Sequence, residues 1–223
     1  MLKRAARGVA GYVRSAPGTY GWLLILLVTT VVITHVSPHT GHSILERRST
    51  NIHYLLQNPL RVLIRSALWI DGGSWGFYLG LYTLFHAQAE RWLGTGRWLV
   101  VVFTCHVVAT YVSEAVLAVA IYAGAAPEAK RFTLDYGVSY ALAGVIAVLA
   151  YWWPPGWMRW VYAAGVLVFY GQAMLRGRTF TDVGHFTATL VGLACYPISV
   201  GRVSPMARGW RWRGLVEMPP FIR

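Results

Sequence analysis

Ser139 and His185 are the two residues of this chain best suited to do chemistry together. A serine hydroxyl is a weak nucleophile until a neighbouring base takes its proton, and a neutral imidazole is the side chain most able to take it near pH 7. Both residues fall inside long apolar runs, where polar and ionisable side chains are costly and therefore point to function. The remaining ionisable side chains of such runs are His86, His106 and Glu114, with Asp135 and Asp182 at the edges of two of them. His86 falls at the inner end of its run and reads as an interfacial, snorkelling side chain. His106 and Glu114 are eight residues apart, about 12 Å along a helix, too far to share a metal ion. No metal site and no cofactor is expected. Glu114 reads as a hydrogen-bond partner for loop backbone, near the depth of Ser139 and His185. Cys105 and Cys195 also lie in apolar runs, where a thiol behaves as a small hydrophobe, so no disulfide framework is implied.

The elements that must position these groups follow from composition. The chain has 223 residues, 56% of them hydrophobic, with 20 Lys+Arg against 8 Asp+Glu and a net charge of +12. That composition excludes an ordinary soluble domain and a disordered protein. A spanning helix needs about 20 apolar residues, so the hydrophobic content sets a ceiling of about six spans. The runs fall at Gly21 to Val36, Trp75 to Ala89, Trp98 to Ala123, Gly137 to Trp153, Trp157 to Leu175 and Phe180 to Val200. The first resembles a signal peptide in its order of charge and apolar residues, but His35, Ser37, Pro38 and His39 stand where a small-residue cleavage site would be. It is expected to remain as an uncleaved span. Residues 40–74 mix leucines and isoleucines with Arg47, Arg48, Arg61 and Arg65, the pattern of an amphipathic segment lying in the headgroup region.

The expected organisation is a basic cytoplasmic tail over residues 1–20, one membrane domain over 21–200 containing the amphipathic loop 40–74, and a second basic cytoplasmic tail over 201–223. With the N-terminus inside, 12 of the 20 Lys and Arg fall on the inner side, which supports that orientation. The basic residues crowd the termini and loops, so the charge reports membrane topology and no nucleic-acid partner is expected. An integral protein of a bacterial plasma membrane, with both termini cytoplasmic, fits this pattern. The tryptophans mostly mark span ends, as an aromatic belt does.

Spans four and six then run parallel. Asp135 and Asp182 open them, each placed to accept a bond from an unpaired helix N-terminal N–H. Ser139 lies four residues past Asp135 and His185 three past Asp182, about 6 Å and about 4.5 Å deeper. Gly137, Ala141 and Gly144 on one span, and Gly184, Ala188 and Gly192 on the other, would let the two backbones approach closely. Contact there would bring the serine within reach of the histidine.

These residues resemble the rhomboid family of intramembrane serine proteases. Gly137-Val138-Ser139-Tyr140 is similar to the family's G-x-S-G at the start of span four, and His185 with Ala188 and Gly192 is similar to its H-x-x-G-x-x-x-G in span six. Glu90-Arg91-Trp92-Leu93-Gly94 resembles its E-x-x-L-G at the inner end of span two. The amphipathic stretch from Leu45 to Trp69 resembles its membrane-embedded first loop in character. The resemblance implies an all-α fold, a six-transmembrane-helix bundle, with Ser139 and His185 as a catalytic dyad, no cofactor, and single-span membrane proteins as substrates or clients. It also carries departures. Tyr140 replaces the glycine after the serine and adds bulk there. The family's span-two oxyanion donors would fall on Ser74 and Tyr78, and a lost donor costs about 2.7 to 4 kcal/mol in the transition state.

Two functions follow from this. One is an atypical intramembrane serine endopeptidase, in which Ser139 attacks a peptide carbonyl, His185 shuttles the proton and the Ser139 N–H supplies part of the oxyanion hole. The other is an inactive relative that binds transmembrane helices of partner proteins. A transporter with Glu114 and His185 as a proton relay is a third, and would need polar residues continuing to the inner face, where these spans offer few.

Overall fold

The computed structural model describes residues 2–70, 75–154 and 156–203. Ser74, and the tail from residue 204 onward, lie outside the described residues. Those described fold into helices: α1 (Leu2–Arg14), α2 (Pro17–Thr34), α3 (Pro38–Glu46), α4 (Ile52–Gln57), α5 (Pro59–Ser66), α6 (Trp75–Leu81), α7 (Ala87–Leu93), α8 (Thr95–Tyr122), α9 (Gly137–Val148), α10 (Trp157–Gly177), α11 (Phe180–Ala194) and α12 (Tyr196–Ser199). A π-turn at Tyr82–His86 joins α6 to α7 through helical backbone at both ends, so they form one path with a bulge. The segment Leu149–Trp152 extends α9 as a 3-10 turn. Each of the six apolar runs coincides with one of these helical segments, and α2 and α8 are long and apolar enough to cross a bilayer.

The core is a trio, α8, α9 and α11, with α10 applied to the outer side of α11. Small residues permit the α9–α11 approach. A Cβ on Gly192 would run into the Gly144 carbonyl, and one on Gly144 into the Cys105 side chain of α8. Gly137 differs from expectation, because it faces the His106 ring on α8 and lies away from α11. Ala141, Ala143, Ala147 and Ala188 are fully buried around this contact. In lipid, packing of this kind holds helices together where the hydrophobic effect between helices is weak.

The segment Glu90–Gly94 ties the N-terminal half to that trio. α2 begins at Pro17 without a side-chain cap of its own. The Glu90 carboxylate supplies it from a distance, accepting from Gly18 N at 2.8 Å, Thr19 N at 2.7 Å, Thr19 Oγ1 at 2.7 Å and Thr95 Oγ1 at 2.8 Å. An anion at a helix N-terminus is favoured by its unpaired N–H groups and dipole. Gly94, at φ +87°, makes the reversal into α8, a conformation that costs a Cβ-bearing residue energy.

The N-terminal segment expected as a tail is the helix α1, docked on the α6–α7 path. The Tyr12 hydroxyl donates to the Thr83 carbonyl at 3.2 Å and accepts from Gln88 Nε2 at 3.1 Å, and the Arg91 guanidinium lies over the Tyr12 ring at 4.6 Å. The expected amphipathic loop is a layer of three short helices, α3 to α5. Leu55, Val62 and Leu63 form its buried face, against Tyr54 and Val107.

Candidate functional site

Ser139 sits in the first turn of α9, where the chain leaves the extended Tyr136 and enters the helix. Its Oγ donates to the Tyr136 carbonyl at 3.3 Å. His185 sits near the start of α11, whose entry is fixed by a capping box. Thr179 Oγ1 accepts from Asp182 N at 3.1 Å, and Asp182 Oδ2 accepts from Thr179 N at 3.2 Å and from Thr179 Oγ1 at 2.6 Å. Thr179 is therefore the N-cap and Asp182 the third helical residue, so Asp182 caps from inside the helix.

Ser139 and His185 line one cavity of about 620 Å³. Its walls are otherwise apolar or aromatic: Phe77, Leu81 and Phe85 from the α6–α7 path, Leu142 and Ile146 from α9, and Tyr162, Gly165, Val166, Phe169 and Tyr170 from α10. The π-turn contributes to this wall through Phe85, in keeping with the frequent placement of π-bulges at functional sites. Within the described residues α6 and α10 do not pack substantially on each other, so the cavity lies between two facing helices. The serine and histidine face it without a hydrogen bond between them. The His185 ring is held between two tyrosines, edge-on to Tyr140 at 5.1 Å and stacked with Tyr170 at 6.0 Å between ring centres. Activation of the serine would require Oγ to leave the Tyr136 carbonyl and turn toward that ring.

Several sequence expectations take a different form. Asp135 does not cap α9, since the N-cap is Tyr136. It fastens the α3–α4 turn to the start of α9. Asp135 N donates to Ser49 Oγ at 2.8 Å, its carbonyl accepts from Thr50 N at 3.0 Å, and its Oδ2 accepts from Thr50 Oγ1 at 3.2 Å. Burial raises this carboxyl to about 6, against the opposing pull of the neighbouring Tyr140 hydroxyl and of hydrogen bonds from Thr50 and the Tyr136 N–H. Tyr140 does not crowd the serine. Its side chain is fully buried between α8, α9 and α11, and its hydroxyl donates to Ser113 Oγ at 3.3 Å. The reason is helical geometry: consecutive residues diverge by about 100° around the axis, so Ser139 faces the cavity while Tyr140 faces the trio.

Tyr78 belongs to a neighbouring aromatic cluster, 6.1 Å from the Tyr82 ring, and is not among the cavity-lining residues. Glu114 is buried at 3% exposure, and its carboxylate oxygens make no hydrogen bond of good geometry. The Ile52 N–H and the Asp135 carboxyl are its polar surroundings. His86 is no snorkelling residue. It is fully buried, stacked on Tyr82 at 4.0 Å, and its Nδ1 accepts from Trp98 Nε1 at 3.2 Å. His106 Nε2 bonds the Leu63 carbonyl at 2.9 Å, pinning α5 to α8.

Tyr170 and the aromatic wall of α10 escape sequence reasoning, which assigns aromatics to span ends. The available signal is the mid-run position of Tyr162 and Tyr170, eight residues apart on a single helix. Among the described residues no group of three or more His, Cys, Asp and Glu is arranged to hold a metal ion.

A family model described as "Rhomboid-like protein" matches residues 11–205. The chain therefore belongs to the rhomboid-like family and is a rhomboid-like membrane protein. A search of curated proteins and a search of solved structures each returned no match.

Proposed function

We propose that this member of the rhomboid-like family receives the transmembrane helix of a single-span partner protein between α6 and α10, and holds it without cleaving it. The carrying observation is the apolar cavity of about 620 Å³ lined by α6, α9, α10 and α11, which admits the side chains along one short stretch of a partner helix. An apolar helix satisfies its backbone polar groups within itself, so such a wall suits it. Supporting the absence of cleavage, Ser139 Oγ bonds its own helix's carbonyl and Tyr78 stands off the cavity. Six membrane-crossing segments, with both termini on the inner side of a bacterial plasma membrane, complete this reading.

Proteolysis is the second reading, and the shared cavity of Ser139 and His185 favours it. In that version Ser139 attacks the scissile carbonyl, His185 accepts its proton and returns it to the leaving amine. The Ser139 N–H then faces the oxyanion.

One experiment separates them. The purified protein is placed in lipid nanodiscs with a fluorescent single-span apolar peptide, and binding is read by energy transfer. Gly165→Trp would project an indole into the cavity and narrow it, because a Cβ at Gly165 meets open space. Binding lost in that variant, with no labelling of the native protein by a fluorophosphonate, supports the binder. Fluorophosphonate labelling that disappears in both Ser139→Ala and His185→Ala supports the protease. Peptide binding unaffected by Gly165→Trp overturns the cavity as the site.

A further inference from the structure

α10 faces two cavities. Tyr162, Val166, Phe169 and Tyr170 turn to the one beside Ser139, whereas Arg159, Ala163 and Leu167, spaced four residues apart, line a second of about 410 Å³. The two share no residue. Small side chains leave the second one open. α10 packs there on the 3-10 extension of α9, and Ala163 and Ala164 on one side and Ala150 on the other bring no more than a methyl group each, with Leu193 of α11 completing an apolar wall. Its polar side chains, beside the indole of Trp160, are Tyr151 and Arg159. The Tyr151 hydroxyl already donates to the Leu193 carbonyl at 2.6 Å. The Arg159 guanidinium lies over the Tyr151 ring at 5.4 Å and donates through Nη2 to the Trp153 carbonyl at 3.2 Å. Its Nε is buried and makes no hydrogen bond. Among the described residues the ion pairs are Arg131–Glu128 and His42–Glu46, so no carboxylate there answers this cation. The first turn of α10, in which Arg159 stands, holds no acidic residue either.

A buried guanidinium N–H without an acceptor costs free energy, which a negatively charged oxygen recovers through a charge-assisted bond. The alanine-lined wall sets a second requirement, because a small soluble anion would leave that apolar space unfilled. A phospholipid meets both, with phosphate oxygens for the planar guanidinium fork and an acyl chain for the cavity. The depth agrees, since Trp152, Trp153, Trp157 and Trp160 flank the turn before α10 and tryptophan collects at headgroup level. A second copy of this chain would set another unpaired guanidinium in the same place, and an apolar helix would bring no anion. A zwitterionic choline headgroup would put its own cation beside the arginine. We infer that Arg159 and the alanine-lined cavity form a binding site for an anionic phospholipid, its phosphate on the guanidinium and one acyl chain along Ala163 and Leu167. The site lies apart from the cavity of Ser139 and His185, so it holds whether that cavity binds helices or cleaves them.

The test uses the full-length protein in nanodiscs of equal phosphatidylglycerol and phosphatidylcholine with identical acyl chains, one of the two lipids carrying a diazirine in its acyl chain. After irradiation, lipid adducts on the peptides that contain Ala163 to Leu167 and Leu193 are quantified by mass spectrometry. One arginine near a bilayer surface is worth on the order of fivefold in binding an anionic lipid, so labelled phosphatidylglycerol is expected to give about fivefold more adducts there than labelled phosphatidylcholine. Arg159→Gln is expected to bring the two near parity. Ala164→Phe, at an exposed position on the cavity, is expected to lower the adducts of both lipids severalfold by filling the space, and it keeps the inference testable if Arg159→Gln fails to fold. Equal adducts from the two lipids in the native protein, a preference that survives Arg159→Gln, or a yield unchanged by Ala164→Phe overturns the inference. So does loss of the adducts in millimolar inorganic phosphate, which would make the ligand a soluble anion, or their displacement by the single-span peptide, which would make it a partner helix.

Discussion

Replacing Glu90 tests the joint that sets α2 against the rest of the bundle. The carboxylate accepts from four donors, two of them backbone N–H groups at the start of α2, and is 2% exposed. In Glu90→Ala the Thr19 and Thr95 hydroxyls can turn to other acceptors, whereas the Gly18 and Thr19 N–H groups cannot. Each buried orphan costs about 1–3 kcal/mol, and loss of the anion at the helix end adds up to about 2 kcal/mol. The expected loss is therefore about 2–8 kcal/mol. At about 2–4 °C per kcal/mol for a chain of this size, Tm should fall by on the order of 10 °C. Glu90→Gln keeps the shape but turns an amide NH2 toward one donor pair, and should cost about half as much. Thermal unfolding in detergent, followed by tryptophan fluorescence, reads the global loss. Hydrogen exchange should show protection falling first at Gly18 and Thr19. A Glu90→Ala protein that melts within about 2 °C of the native one, or that keeps those two amides protected, would refute the account.

Gly192→Val drives side-chain carbon into the Gly144 carbonyl and should destabilise by about 1–3 kcal/mol, as overpacking does; unchanged thermal unfolding would count against direct contact of α9 with α11. Asp135 gives a pH dependence of definite sign. Its folded value, about 6, lies above the ordinary 3.8, so the folded state holds this proton more tightly, and the Asp135 contribution to stability falls as pH rises from about 4 to about 6 and is then spent. Between about pH 5 and about pH 7.5 the loss is about 1.4 kcal/mol. Denaturant unfolding across that range measures it, and Asp135→Asn should remove that slope.

The residues that made the fold legible were those whose effect is local. The six apolar runs coincide with helical segments, and in α2 and α8 length and apolarity alone suffice to cross a bilayer. Gly144 and Gly192 announced the α9–α11 contact through size. The same sequence placed Ser139 and His185 at one level, and the fold set both on one cavity. It could not say where each side chain would aim. Asp135 and Asp182 look alike as helix openers, yet only the second joins a capping box, because Ser49 and Thr50 arrive from a distant segment to claim the first. Glu90 reads as part of a motif at the end of its own span until α2 brings its uncapped end against it. Tyr140 reads as an obstacle beside Ser139 until the rotation about α9 turns it toward α8. His86 and Tyr170 acquire their roles only from aromatic partners on other segments. The physical reason is common to all of these. Helices apolar on every side carry little periodic signal to mark an inner face, so the direction of each polar group was decided by which distant backbone and ring it met on packing.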